Sequence, residues 1–125
     1  MHRVLVIEDE PLARQRLVRL LRAAPGEREV LEAENGPEAL RQIAQAKPDV
    51  VFLDVMMPKL NGYQVCEHIK QDPELKGTYV IMLTAKGQAA DKVRGQEVQA
   101  NEYMTKPFDP DMILQRASEI LGTQT

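Results

Sequence analysis

Four apolar residues, Val50-Val51-Phe52-Leu53, run without interruption into Asp54, and Pro58 follows four residues later. An apolar run of this length, rich in β-branched and aromatic side chains, suits a strand buried on both faces. Asp54 stands where that strand leaves the core. A carboxylate there is either a helix or turn cap, or a group kept for chemistry. The stretch taken alone does not separate the two.

The rest of the chain alternates around this strand. Val4-Leu5-Val6-Ile7 is a second short buried strand, ending in Glu8-Asp9-Glu10. Pro11 suits the first position of a helix, and apolar residues at 13, 17, 20, 21 and 24 mark one helical face before Pro25-Gly26 stops it. Val30-Leu31 with Ala33 forms a short strand. Asn35-Gly36-Pro37 opens a helix that buries Leu40, Ile43 and Ala44 and ends at Lys47-Pro48. After the central strand, Lys59-Leu60-Asn61-Gly62 is a turn, and Tyr63 to Lys70 a helix burying Val65, Cys66 and Ile69. Tyr79 to Leu83 is the fourth strand, ending at Thr84-Ala85. Residues 87–98 read as a weak helix, since Gly87 and Gly95 each cost about 1 kcal/mol against alanine. Glu102 to Thr105 is a half-polar strand closed by Lys106-Pro107, and Phe108 to Leu121 is the last helix, with Ile113, Leu114, Ala117, Ile120 and Leu121 inward. Five strand–helix repeats imply a parallel sheet with helices on both faces, a single doubly wound α/β domain over residues 1–125.

Composition excludes several other classes. The chain has 125 residues, of which 43% are apolar and 28% charged, the balance of a folded soluble domain. A net charge of −3 offers no basic footprint for nucleic acid or for an anionic membrane. The single Cys66 rules out an internal disulfide and a multi-cysteine zinc site. No apolar run reaches membrane-spanning length, and Met1 to Ile7 is too short and too quickly acidic to read as a signal peptide. The expected compartment is the cytoplasm.

Ligands of such folds bind at the carboxyl ends of the strands. There the strand ends gather Glu8, Asp9 and Glu10 from the first strand, Asp54 from the third, Thr84 from the fourth and Lys106 from the fifth. Crowded carboxylates repel, and a divalent cation relieves that repulsion. Oxygen donors without His or Cys favour a hard ion such as Mg²⁺, which takes one or two carboxylates plus phosphate oxygens. A lysine and a hydroxyl opposite suit the remaining phosphate oxygens, so the rim fits phosphoryl transfer. Asp54 has no other obvious task there, and carboxylates form aspartyl phosphates as nucleophiles.

The motifs Ile7-Glu8-Asp9-Glu10-Pro11, Leu53-Asp54-Val55-Met56-Met57-Pro58, Asn61-Gly62, Met82-Leu83-Thr84-Ala85-Lys86 and Tyr103-Met104-Thr105-Lys106-Pro107-Phe108 together resemble the CheY-like receiver domain of bacterial two-component response regulators. They span essentially the whole chain in the family's order. The resemblance implies a flavodoxin-like (βα)5 three-layer sandwich with strand order 2-1-3-4-5. It implies that Asp54 is the phosphoacceptor, and that Asp9, Asp54 and the backbone carbonyl of Met56 ligate Mg²⁺, with Glu8 acting mainly through a water. Thr84 and Lys106 would bind the phosphoryl oxygens, Tyr103 would be the aromatic switch, and the bond from Lys106 to Pro107 would be cis. A sensor histidine kinase or a histidine phosphotransfer protein is the implied donor. Phosphorylation would alter a partner surface at the fourth helix, fifth strand and fifth helix. The domain is a switch with slow autodephosphorylation rather than a turnover enzyme. Residue 125 lies just past the last helix, so no output domain is expected within the chain. A stand-alone regulator and the receiver piece of a larger protein both fit.

Plainer roles cover other positions. Glu10 reads as a first-turn acid that favours the helix dipole, Cys66 as core, His2 and His68 as surface, and Met56 and Met57 as loop residues. Two departures from the family pattern stand out. Glu8 replaces the frequent aspartate, and Val98-Gln99-Ala100-Asn101 stands where Ala-Gly-Ala-Asp is common. The usual glycine suits a left-handed helix cap, so Gln99 implies local strain or a different helix end. In winged-helix regulators the exit face dimerises through charged pairs. Glu102 and Arg116 fit one such pair and Lys92 begins another, but Met112 occupies the acidic partner position, so the expectation is a monomer or a weak dimer. A phosphatase of the haloacid-dehalogenase type needs a second carboxylate two residues after its nucleophile, where this chain has Met56. An unphosphorylated receiver-like module is disfavoured by the intact Asp9, Asp54, Thr84 and Lys106 set.

Overall fold

The computed structural model describes residues 2–23, 28–55, 57, 60–85, 99–106 and 109–121. Along these residues run β1 (His2–Ile7), α1 (Pro11–Ala23), β2 (Arg28–Ala33), α2 (Gly36–Ala46), β3 (Val50–Asp54), α3 (Gly62–Gln71), β4 (Tyr79–Ala85), β5 (Glu102–Lys106) and α4 (Pro110–Leu121). The helix predicted over residues 87–98 lies outside the described residues. The five strands form one parallel sheet of order β2-β1-β3-β4-β5, the doubly wound arrangement expected. β3 is its centre, paired with β1 from Val4↔Val50 to Ile7↔Leu53 and with β4 from Val50↔Tyr79 to Asp54↔Leu83.

The uninterrupted apolar run of β3 has a direct cause: successive side chains of a strand point to opposite faces, and both faces here are covered. Val50 and Phe52 join Val4, Val6, Ile81 and Leu83 against α1 and α4, whose Leu17, Leu21, Ile113 and Ala117 complete that layer. Val51 and Leu53 join Leu5, Ile7, Val80 and Met82 against α2 and α3, through Ala39, Ile43, Val65, Cys66 and Ile69. Phe52 is fully buried, and truncating such a side chain to alanine costs about 3–5 kcal/mol.

The helix ends are fixed locally. Asn35 caps α2 by accepting from the Glu38 N–H at 2.9 Å, and Lys47 closes it in the left-handed conformation with its N–H on Ile43 O at 2.9 Å. The buried face of α2 runs through Gly36, Ala39 and Ile43. Ala44 is exposed rather than buried, because this face, fixed from the first turn, leaves residue 44 on the solvent side. In α1, Val18 is buried beside Leu17 and Leu21. Gln99 adopts φ 66, the left-handed region expected there, which costs a side-chain-bearing residue about 1 kcal/mol. Among the described residues no helix is long and apolar enough to cross a membrane.

Candidate functional site

Strands β1, β3, β4 and β5 end at one edge, and their register decides which side chains meet. Ile7 pairs with Leu53, which sets Glu8 beside Asp54. Leu83 pairs with Asp54, so Thr84 follows directly on the neighbouring strand, and Ala85 pairs with Lys106.

Glu8 is held on both sides of its backbone. Its N–H donates to Ala33 O at 3.1 Å, continuing the β1–β2 ladder, and its carbonyl accepts from Arg14 Nη1 at 2.8 Å. Arg14 is itself steadied by Glu32, Nε to Oε1 at 3.2 Å. The Glu8 carboxylate is only 2% exposed. Its Oε1 accepts from Lys106 Nζ at 2.7 Å, and its Oε2 accepts from the Glu10 N–H at 3.3 Å. Glu10 caps α1, accepting from the N–H of Ala13 at 2.7 Å and of Leu12 at 3.3 Å; it stands one residue before the helix rather than in its first turn as expected, where its carboxylate meets the free N–H groups of the helix start.

Asp54 is 5% exposed, with its Oδ1 3.4 Å from Lys106 Nζ. Past it the backbone turns: the Val55 N–H donates to Leu83 O at 3.2 Å and the Gly62 N–H to Val55 O at 3.0 Å. A Cβ at residue 62 would lie 2.4 Å from Asp54 O and 2.8 Å from Val55 Cα. Only glycine lets α3 start this close to the Asp54 backbone. Asp9 is exposed, and one oxygen from each of Glu8, Asp9 and Asp54 lies within 4.8 Å of the others. Such an all-oxygen donor set fits a hard divalent cation.

Charge explains the arrangement. Burial pushes the Glu8 carboxyl up, but hydrogen bonds with Asp54 and Lys106 and the Lys106 charge outweigh it and hold Glu8 below its ordinary value. Burial likewise disfavours the Lys106 ammonium, while the Glu8 hydrogen bond and the charges of Asp54 and Glu8 carry it above its ordinary value. Both groups are therefore ionised at neutral pH.

The structure thus brings Glu8, Asp9, Asp54 and Lys106 together. It places Thr84, 3% exposed, at the same edge, and half-buried Tyr103 on β5 against the α3 layer. Burial first, then Cys66, pushes the Tyr103 phenol up. Glu8 meets Lys106 directly, a contact its expected water-mediated role did not include. Met56, with its expected carbonyl ligand, and Pro107, with its expected cis bond, lie outside the described residues. Arg14 went unnoticed in the sequence, and Gly62, though part of the turn and of the family motif, was given no role at the Asp54 backbone. Arg14 looked like one of several α1 arginines, and Gly62 looked like an ordinary turn glycine. A groove of about 570 Å³ opens from the site between α1 and α4, with Glu8 and Lys106 at its rim and Leu17, Leu20 and Leu83 among its walls.

Comparison with known proteins adds three kinds of likeness. The family model described as response regulator receiver domain matches residues 4–118. Protein PilH of Pseudomonas aeruginosa is 37% identical over 122 residues, covering 98% of this chain and 99% of PilH. The alkaline phosphatase synthesis transcriptional regulatory protein PhoP of Bacillus subtilis is 40% identical over 95% of this chain, which spans only 48% of PhoP. Among solved structures, a putative response regulator from Chloroflexus aurantiacus superposes with a TM-score of 0.89 at 36% identity, over 97% of this chain and 98% of that one.

Proposed function

We propose a role from one premise: the chain belongs to the response regulator receiver domain family, matched over residues 4–118. Receivers are signalling switches of two-component systems, not turnover enzymes. In this chain residues 1–125 act as one receiver and Asp54 is the phosphoacceptor. The observation that carries this reading is the convergence of Glu8, Asp9 and Asp54 with the Lys106 ammonium at the carboxyl edge of a parallel sheet.

An Asp54 carboxylate oxygen attacks phosphorus in line. The phosphorus–nitrogen bond of a donor phosphohistidine breaks, and the imidazole leaves. Lys106 and the Thr84 hydroxyl hold the phosphoryl oxygens. Asp9 and Asp54, with the Met56 carbonyl, are the groups that would hold Mg²⁺, and Glu8 stands beside them. That ion supplies neutralisation of the charge gathered on the phosphoryl oxygens. Direct engagement of Lys106 by Glu8 gives the ammonium an internal counter-charge, which an incoming phosphoryl group must displace. Once Thr84 is drawn to the phosphoryl group, Tyr103 turns inward and the face around β5 and α4 changes. This is a population shift in a bistable element. Slow loss of the phosphoryl group returns the switch.

A sensor histidine kinase or a histidine phosphotransfer protein is the donor, in the cytoplasm. The output is a protein contact or a domain joined to this one. Incubation with a small-molecule phosphodonor and Mg²⁺ should give a phosphoryl mass shift in the wild type and none in Asp54→Asn. Equal labelling of both would sink the assignment.

A further inference from the structure

Lys70, in the last turn of α3, has no part in the proposed chemistry. Its ammonium donates to Thr78 O at 2.6 Å, Asn101 Oδ1 at 2.7 Å and Lys76 O at 3.2 Å. An ammonium has three protons, and each finds an acceptor. Among the described residues all three acceptors are neutral oxygens, and burial draws the amine below its ordinary pKa. A surface lysine placed only for solubility would not be held this way. Asn101 is gripped further: its Oδ1 accepts from the Val80 N–H at 2.9 Å and its own N–H donates to Val80 O at 3.0 Å. Two residues before it Gln99 is left-handed, at φ 66. Two residues after it β5 carries Tyr103.

The other end of α3 touches the proposed acceptor. Gly62 fits against the Asp54 carbonyl with no room for a Cβ, and its N–H is bonded to Val55 O. Asn61 and Gln64 close a capping box there. Between the ends Val65, Cys66 and Ile69 are fully buried, so the helix moves as one rigid body or not at all.

We propose that Lys70 is a positioning residue that fastens α3 to the Gln99–Asn101 turn, making α3 a strut between the Asp54 backbone and the strand that carries Tyr103. The inference rests on Asp54 being the phosphoacceptor. A shift of the Asp54–Val55 backbone on loading pushes Gly62, because nothing between them can compress. The push reaches Asn101 through the ammonium, and the strained Gln99 is the point that yields. This route runs through the body of α3 and the Lys70 ammonium and does not need the Thr84 hydroxyl.

The test compares wild type, Lys70→Met, Asn101→Asp and the double variant, as full chains. Lys70→Met keeps the stem and removes the three donors. Amide spectra are recorded with and without beryllofluoride and Mg²⁺ as the phosphoryl mimic. In the wild type, Gly62 and Gln99 to Tyr103 should both respond. In Lys70→Met the Gly62 response should persist while the response of Gln99 to Tyr103 falls at least about twofold. Without the mimic, Asn101→Asp should raise stability to urea when Lys70 is present and not in Lys70→Met, since only the ammonium rewards the new charge. Undiminished response of Gln99 to Tyr103 in Lys70→Met, or strictly additive effects of the two substitutions, overturns the strut. A wild type that takes no beryllofluoride overturns the phosphoacceptor reading, and the strut with it.

Discussion

At the scale of single residues, the site turns on one methylene. Glu8 reaches Lys106 at 2.7 Å while Asp54 stands at 3.4 Å, so the longer acid is the closer counter-ion. Its stabilising effect has a defined pH window. The Glu8 carboxyl is lowered, so its contribution is present above the ordinary value of 4.5 and disappears as pH falls through the lower folded value. Lys106 is raised, so its contribution is present below 10.5 and is lost only as pH climbs through the higher folded value. Metal-free Glu8→Gln should therefore be less stable than wild type by about 1–3 kcal/mol at neutral pH, with the gap closing below 4.5. Urea titrations across that range measure it, and a gap that widens in acid would contradict the assignment. Gly62→Ala should cost about 1–3 kcal/mol and also slow labelling of Asp54, because the new Cβ has only backbone to push against.

At the scale of elements, α3 shows how local chemistry sets a boundary. The Gln64 N–H donates to Asn61 Oδ1 at 3.0 Å, and the Asn61 N–H donates to Gln64 Oε1 at 2.9 Å. Asn61→Ala removes the first bond, keeps the backbone donor of the second, and should lower stability by about 1 kcal/mol, read from the thermal midpoint. A null result would mean that packing of Val65, Cys66 and Ile69 alone sets where the helix starts. Elements of this kind were legible in the sequence because their causes are local. The apolar run of β3, the Pro11 and Pro37 starts and the Asn caps each act within a few residues. The site acids were legible because a parallel sheet gathers its strand ends. Partners across the fold were not. Glu8 and Lys106 are 98 positions apart, and composition says nothing of which acid the ammonium prefers. Arg14 and Gly62 meet backbone atoms at the site, and Lys70 bonds two backbone carbonyls and the Asn101 side chain 31 positions away, which no local side-chain pattern reveals. Ala44 misled because two faces of α2 share similar spacing and only packing chooses between them.

At the scale of the whole molecule, the face of β5 and α4 is occupied with itself. Arg116 Nε donates to both oxygens of Glu102, at 3.0 and 2.9 Å, while Nη2 bonds Tyr79 Oη at 3.2 Å and Nη1 meets Glu119. The two residues expected to pair between copies are instead bonded within one, and the Glu102 carboxyl is held low, first by its Arg116 hydrogen bonds. Met112 beside them is 54% exposed and carries no charge. With beryllofluoride and Mg²⁺ the chain should sediment as a monomer or weak dimer, and a tight dimer abolished by Arg116→Ala would show that the internal pairs open. The strand order has a further consequence, for biosynthesis. β1 and β3 lie side by side at the middle of the sheet, while the strand that bears Lys106 is the last made and sits at the edge. A ribosome that has emitted the chain through β4 has produced every acid of the site and not yet its ammonium. On the proposed function, competence to accept a phosphoryl group would arrive only when this final strand docks at the sheet edge.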